Sequence, residues 1–332
     1  MKRSARILIL LASVTALIGA AALAVKSAEQ RTQQEAGPQA AGTVSLTPGP
    51  RLAFRSTAPG SNGRLATVPT SDPGAQRVVS PKTCNRLYTA GGTGLCLRLD
   101  ASELTTYELV VLDRKLTERT TIPLVGVPNR ARVSPSGRHV AWTVFVTGDS
   151  YNGGRFSTRA GFLDTVTEEL VGNLEEWPAF VDGKRNKAAD RNFWGITFTP
   201  DDQHFYATMS TGGQRYLVQG DIVGKTLRTL RKNVECPSLS PDGKRIAYKS
   251  AVKGDPEQGW RLTVLDLASG RTTPLAETRS VDDQPAWIDN DSIAYGLPRS
   301  RGRSDVWHVP ADGTGRPHVL IRDAESPASL SG

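Results

Sequence analysis

The feature that most narrows the folds open to this chain is a recurring unit, Leu239-Ser240-Pro241-Asp242-Gly243-Lys244-Arg245-Ile246-Ala247-Tyr248. Its chemistry is that of a strand, a tight turn and a second strand. Proline presets φ, aspartate caps the turn and glycine takes the positive φ; an apolar-small-aromatic triplet then opens the next strand. Val133-Ser134-Pro135-Ser136-Gly137-Arg138-His139-Val140-Ala141-Trp142 repeats the unit closely, and Phe198-Thr199-Pro200-Asp201-Asp202-Gln203-His204-Phe205-Tyr206-Ala207 more loosely. Weaker copies end in Leu95-Cys96-Leu97 and Ile293-Ala294-Tyr295, and Leu52-Ala53-Phe54 keeps the triplet alone. The last triplet residues fall at 54, 97, 142, 207, 248 and 295. Four of the five steps lie near the roughly 40–45 residues of a propeller blade. The step from 142 to 207 carries an insertion.

A second signal follows each marker: an alternating strand ending in Asp, a turn, then Thr with apolar residues. Leu109-Val110-Val111-Leu112-Asp113, Gly161-Phe162-Leu163-Asp164 and Leu262-Thr263-Val264-Leu265-Asp266 are examples. They read as the third and fourth strands of a blade, joined by a hairpin. The first marker, Phe54, has no strand before it. Glu325-Ser326-Pro327-Ala328-Ser329-Leu330-Ser331 resembles the inner-strand segment Glu235-Cys236-Pro237-Ser238-Leu239-Ser240 and would supply the missing strand. The expected fold is therefore all-β: a six-bladed β-propeller of four-stranded blades over residues 50–332, closed by its C-terminal strand, with no open sheet edge at the seam.

The Ser-Pro-Asp-Gly-Lys-Arg-Ile-Ala-Tyr unit resembles the WD40-like repeats of TolB-type propellers, and also those of the propeller domain in prolyl-oligopeptidase-like peptidases. The resemblance covers about residues 50–332 and implies fold rather than activity, because the motif residues build turns and cores. The small α/β domain that precedes the propeller in TolB is replaced here by a leader and tether. The peptidases carry a hydrolase domain that this sequence lacks.

Lys2, Arg3 and Arg6 precede an uncharged, mostly apolar run from Ile7 to Val25. That run is long for a secretory core and just long enough to cross a bilayer as a helix. The basic flank predicts a cytoplasmic N-terminus and an exported remainder. Residues 1–25 are thus an uncleaved anchor, or a signal peptide cut near Ala22-Leu23-Ala24, in which case the protein is secreted. Residues 26–49 are polar, Pro/Gly-bearing and aperiodic, and read as a flexible tether. Of the net charge of +8, four units belong to Lys2, Arg3, Arg6 and Lys26, so the remainder is too mildly basic to argue for nucleic acid.

No nucleophile elbow, zinc-protease motif or Cys-x-x-Cys occurs, and no catalytic residue, metal site or cofactor is expected. His139 and His204 share a repeat slot with Arg245 and read as solvated turn positions. His308 and His318 lack ligands at suitable spacing. Val281-Asp282-Asp283 and Asp289-Asn290-Asp291 flank one inner strand; a calcium site there competes with plain turn chemistry. Cys84 and Cys96 fall on the first two strands of the second blade but out of register, leaving a disulfide and two buried thiols both open. Cys236 has no evident mate. Trp142 reads as core, Trp287 as packing between blades, and Trp194 as either core or a platform at the channel mouth.

The long connections, at 147–156, 175–192, 253–259 and 298–304, all belong to the face carrying the b–c and d–a links between strands. Long loops on a rigid ring are where binding usually resides. The candidate binding residues are Trp177, Lys184, Arg185, Lys187, Arg191, Trp194, Arg299, Arg301 and Arg303, set against a reading of solvated surface. The expected function is a non-catalytic binding or scaffold module for a protein or cell-envelope polymer, working as a monomeric ring outside the membrane. The alternatives are a lyase-, lactonase- or sugar-processing-type propeller enzyme and a ligand-sensing ectodomain with a separate signalling partner.

Overall fold

The computed structural model describes residues 17–27, 39–100, 106–146 and 157–331. Each repeat forms one antiparallel sheet, and six sheets make the ring. Blade 1 contains β1 (Arg51–Ser56), β2 (Arg64–Pro69) and β3 (Val78–Thr83). Blade 2 contains β4 (Arg86–Ala90), β5 (Thr93–Leu99), β6 (Tyr107–Leu112) and β7 (Glu118–Leu124). Blade 3 contains β8 (Val127–Val133), β9 (His139–Val146), β10 (Ser157–Asp164) and β11 (Leu170–Val171). The insertion brings β12 (Ala179–Val181) and β13 (Lys184–Asn186), followed by blade 4: β14 (Asn192–Phe198), β15 (His204–Thr211), β16 (Gln214–Asp221) and β17 (Thr226–Lys232). Blade 5 contains β18 (Glu235–Leu239), β19 (Arg245–Ala251), β20 (Trp260–Asp266) and β21 (Thr272–Pro274). Blade 6 contains β22 (Ala286–Trp287), β23 (Ser292–Pro298), β24 (Ser304–Pro310) and β25 (His318–Ile321), and the chain returns as β26 (Ala324–Ser329).

β26 pairs with β1, Leu52 opposite Ser329 and Ala53 opposite Ala328, and so becomes the inner strand of blade 1. The inner strands β26, β4, β8, β14, β18 and β22 lie each against the next, and β22 against β26, which closes the ring. All six sequence markers fall on the second strand of their blades. Phe54, Leu97, Trp142, Ala207, Tyr248 and Tyr295 are buried there.

The turn chemistry is visible atom by atom. In the Ser240 turn, Gly243 N donates to Ser240 O at 2.9 Å and Arg245 N to Ser240 Oγ at 2.9 Å, with Gly243 at φ +70°. Where the looser repeat has no glycine, Asp202 takes that place at φ 55°. The recurrent Asp after the third strand caps its hairpin: Asp113 Oδ1 accepts from the amides of Lys115 and Thr117, and Asp164 Oδ1 from those of Val166 and Thr167.

Several sequence readings change on contact with the structure. His139 is not solvated: it is buried, stacked on Phe198 of the next blade at 5.3 Å, with Nε2 at 3.1 Å from the Asp202 carbonyl oxygen. Its slot opens a second strand at the packed inter-blade seam, so only His204 and Arg245 stay half-exposed. Cys84 and Cys96 are disulfide-bonded. Cys84 lies in the link before β4 rather than on it, which removes the register conflict. Residues 175–192 are not a plain loop, because β12 and β13 form a hairpin that adds to the outer edge of blade 4, β12 running parallel to β17. The last part of the stretch read as tether is not free either. Val44 and Leu46 are buried in the core between blades 1 and 2, and Leu46 N donates to Arg114 O. Their apolar side chains outweigh the polar composition around them.

Among the described residues no helix is long and apolar enough to cross a membrane. The first sixteen residues of the leader and the connection 147–156 lie outside the described residues.

Candidate functional site

The inner strands carry a repeated irregularity at the end where they begin. The pairing register slips at Pro128/Arg130 in β8, at Trp194/Thr197 in β14, at Glu235/Ser238 in β18, and between Ala53 and Arg55 opposite β26. Gly195, Cys236 and Ser326 take positive φ there, as a bulge residue does. The bulges from adjacent blades also pack closely: a Cβ at Gly195 would lie 2.8 Å from the Cys236 Cα, which requires glycine at that position.

Above these bulges a cavity of about 700 Å³ opens on the b–c/d–a face. Inner strands contribute Arg86, Asn129, Arg130, Asn192, Trp194, Glu235 and Cys236. Second and third strands contribute Phe145, Thr158, Ser210, Arg215, Lys249 and Trp260, with Asp190 and Asp282 from d–a links. Its charges are interlocked. Lys249 Nζ lies 2.5 Å from Asp282 Oδ1 and 3.5 Å from Glu235 Oε2, and Arg215 pairs with the other oxygen of Glu235. Lys249 also sits 4.6 Å from the Trp260 ring centroid. Burial pushes the Glu235 carboxyl up despite its two cationic neighbours. Burial alone would depress the Lys249 ammonium, yet Cys236, Asp282 and Glu235 together carry it above its usual value. Partial desolvation works to raise Asp282, whose side chain stays mostly exposed, and Lys249 and Arg130 hold it below the ordinary carboxylate range.

Of the residues picked from sequence, Trp194 lines this cavity. Trp177 is buried between blades 3 and 4, edge-on to Phe162 at 5.8 Å. Arg191 is a strut: its guanidinium donates to the carbonyls of Ala188, Trp177 and Glu175 and fixes the insertion. Lys184 and Arg185 stand exposed on β13 at the outer rim, with Lys187 just beyond. Arg299 pairs with Asp323 and, at 3.4 Å, Asp305; Arg303 lies 3.6 Å from Asp323. The Arg301 side chain lies outside the described residues. The structure therefore splits the chosen set between rim, core and cavity.

Of the residues that sequence reasoning missed, Arg130 and Glu235 sit at bulges, Arg215, Lys249 and Trp260 lie near the ends of second or third strands, and Arg86 opens the inner strand β4. A register count from each marker toward that face finds them. Asp282 and Asp289 lie at opposite ends of β22, so the two acidic clusters cannot share one ion. No group of three or more His, Cys, Asp or Glu among the described residues is arranged to hold a metal.

The architecture is that of a six-bladed β-propeller, and its fold is similar to those of solved TolB structures. TolB from Acinetobacter baumannii is similar at TM-score 0.61 and 18% identity, over 85% of this chain and 67% of that one. A chain from a nidogen/laminin complex is similar at TM-score 0.53 and 13% identity, over 85% of this chain and 98% of that one. A TolB from Agrobacterium tumefaciens gives TM-score 0.50 at 12% identity, over 83% and 90%. No family model matches the chain, and no curated protein matches it in sequence. At these identities the likeness establishes the fold.

Proposed function

We propose that this propeller is an exported binding module, held at the membrane by its N-terminal segment, which engages a protein or envelope polymer through the mouth of its channel. The observation that carries the reading is the cavity itself. It combines two tryptophans, Trp194 and Trp260, with a ring of fixed charges and amides, on the face that also bears the long connections. Large apolar rings beside a few oriented polar groups are what a recognition pocket needs. The charges are neutralised mainly by one another, which suits orientation of a ligand more than proton transfer. One of the similar folds was solved as a nidogen/laminin complex, an assembly of proteins.

A propeller enzyme is the second reading, and Glu235 is the observation in its favour. A buried carboxyl whose proton affinity is raised, facing a cavity, is the kind of group a general acid requires.

Crosslinking of the full-length protein in its native cells, followed by identification of captured partners, separates the two. A binding module captures recurrent envelope components, and W194A/W260A loses them while neutralising Arg299 and Arg303 at the rim leaves them. Capture unaffected by W194A/W260A would remove the mouth from the proposal. Turnover of a substrate that E235Q abolishes would favour the enzyme.

A further inference from the structure

Below the wide cavity, β8 places two arginines on the same side of the strand, Arg130 and Arg132, and both are buried, at 8% and 5% exposure. Burying a guanidinium is expensive unless all its donors are met. Arg130 donates to its neighbour's carbonyl, Asn129 O, at 3.1 Å and to Asp282 O at 3.4 Å, with the Asp282 carboxylate only at 3.8 Å. Arg132 donates to Pro285 O at 3.1 Å and stacks 4.2 Å above the Tyr88 ring. The Nε of each has no partner. Two buried cations a residue apart, each with an unmet donor, form an incomplete site.

These arginines and Arg86 line a chamber of about 30 Å³. Its one carboxylate, Asp283, already accepts from the amides of Gln284 and Gly296, both at 2.9 Å. The wide cavity shares Arg86, Asn129 and Arg130 with the chamber, so the two adjoin at these side chains. The chamber has about the volume of a single water, roughly 30 Å³, so only a small group of a ligand can enter it.

We propose that this chamber receives the carboxylate of a ligand whose body fills the cavity above. A carboxylate supplies what is missing: acceptor oxygens for the open Nε–H groups, set as a pair that fits guanidinium forks. The inference rests on the mouth being the binding face. Such a carboxylate comes either from the free C-terminus of an extended peptide or from a uronic-acid unit of a polymer.

Acetate tests the chamber without any partner, so its failure would leave the capture experiment to judge the mouth by itself. The unfolding temperature of the full chain is measured in acetate and in chloride at equal ionic strength. Acetate is expected to stabilise more, and R132Q to weaken that effect roughly tenfold or more in apparent affinity. Equal effects of acetate and chloride on the wild type, or an undiminished acetate effect in the variants, would overturn the proposal. If R132Q does not fold, R86Q decides, since Arg86 reaches the chamber from a partly exposed position. N-acetyl-diglycine against its amide, and glucuronate against its methyl ester, then identify the source. A free acid preferred over its neutral partner supports the assignment and names the ligand class. Acetate binding with neither larger acid preferred would overturn the claim that the ligand extends into the cavity.

Discussion

Trp287 of blade 6 donates its indole N–H to the Ser238 carbonyl oxygen of blade 5 at 2.8 Å, across the seam between two inner strands. Trp287 is buried, and the Arg245 guanidinium lies 5.3 Å from its ring centroid. The bond ties together two sheets that share no backbone ladder. Trp287→Phe keeps an aromatic ring but strands a buried carbonyl and opens a small void. The expected cost is about 1–3 kcal/mol, read as a lower denaturant midpoint with an unchanged slope. A change below about 0.5 kcal/mol would mean that the seam holds without this bond.

The second seam is the one between the chain ends. β26 brings Ala324 and Ala328 into the core, and Leu330 is buried beside Ala53 in the cluster that also holds Val44 and Leu46. Removing residues 324–332 would expose the inner edge of β1 and leave Arg55 without Glu325, which it contacts at 3.1 Å. The truncated chain is expected to lose cooperative unfolding and to aggregate at the freed edge. Light scattering with thermal denaturation reads both effects, and an intact cooperative transition would show that closure is dispensable.

Turn residues and inter-blade markers made the ring legible, because each repeat has to solve the same local problem with the same chemistry. Ser240, Asp242 and Gly243 announce a turn wherever they stand, and the unbroken apolar run Leu109-Val110-Val111-Leu112 announces a strand buried on both faces. The cavity was far less legible. Arg86, Arg130 and Lys249 come from three different repeats and are neighbours only once the ring closes, so no local spacing marks them. The reading by loops also assumed that exposed basic residues mark a binding face. Asp323 and Asp305 already occupy Arg299, and carbonyls occupy Arg191, which only the tertiary structure reveals. The hairpin β12–β13 did carry a signal, Val181-Asp182-Gly183-Lys184, whose Asp-Gly is a favoured hairpin turn.

Lys249 tests how the cavity trades stability for a prepared surface. Its side chain is 3% exposed and faces Glu235 and Asp282. Replacing it by Met removes one partner of a buried pair and leaves Glu235 with Arg215 alone. A loss of about 3 kcal/mol is expected, since an uncompensated buried charge costs more than the intact pair contributes. In K249M/E235Q the loss should be smaller than the sum of the single variants. Additivity in that cycle would show that the two groups do not interact.

The last prediction concerns acid. Glu118 on β7 accepts from Arg98 at 2.8 and 3.0 Å and from Lys82 at 2.6 Å, linking the outer strand of blade 1 to blade 2. These hydrogen bonds, that to Arg98 foremost, hold its carboxyl at about 2, below the ordinary 4.5. A carboxyl depressed in the folded state favours folding above its unfolded value, and that contribution fades as pH falls through the folded one. Stability from this network should therefore be full above about pH 5 and decline toward pH 2. Its side chain is a third exposed, so solvent screening limits the contribution to about 1 kcal/mol. E118Q should cost that much at pH 7 and nothing at pH 2, so the two proteins' stability curves converge in acid. Salt should narrow the gap at pH 7 by screening the same pairs. Parallel curves from pH 7 to pH 2 would show that the Glu118 side chain acts through packing, and that the charge linking the two blades contributes nothing.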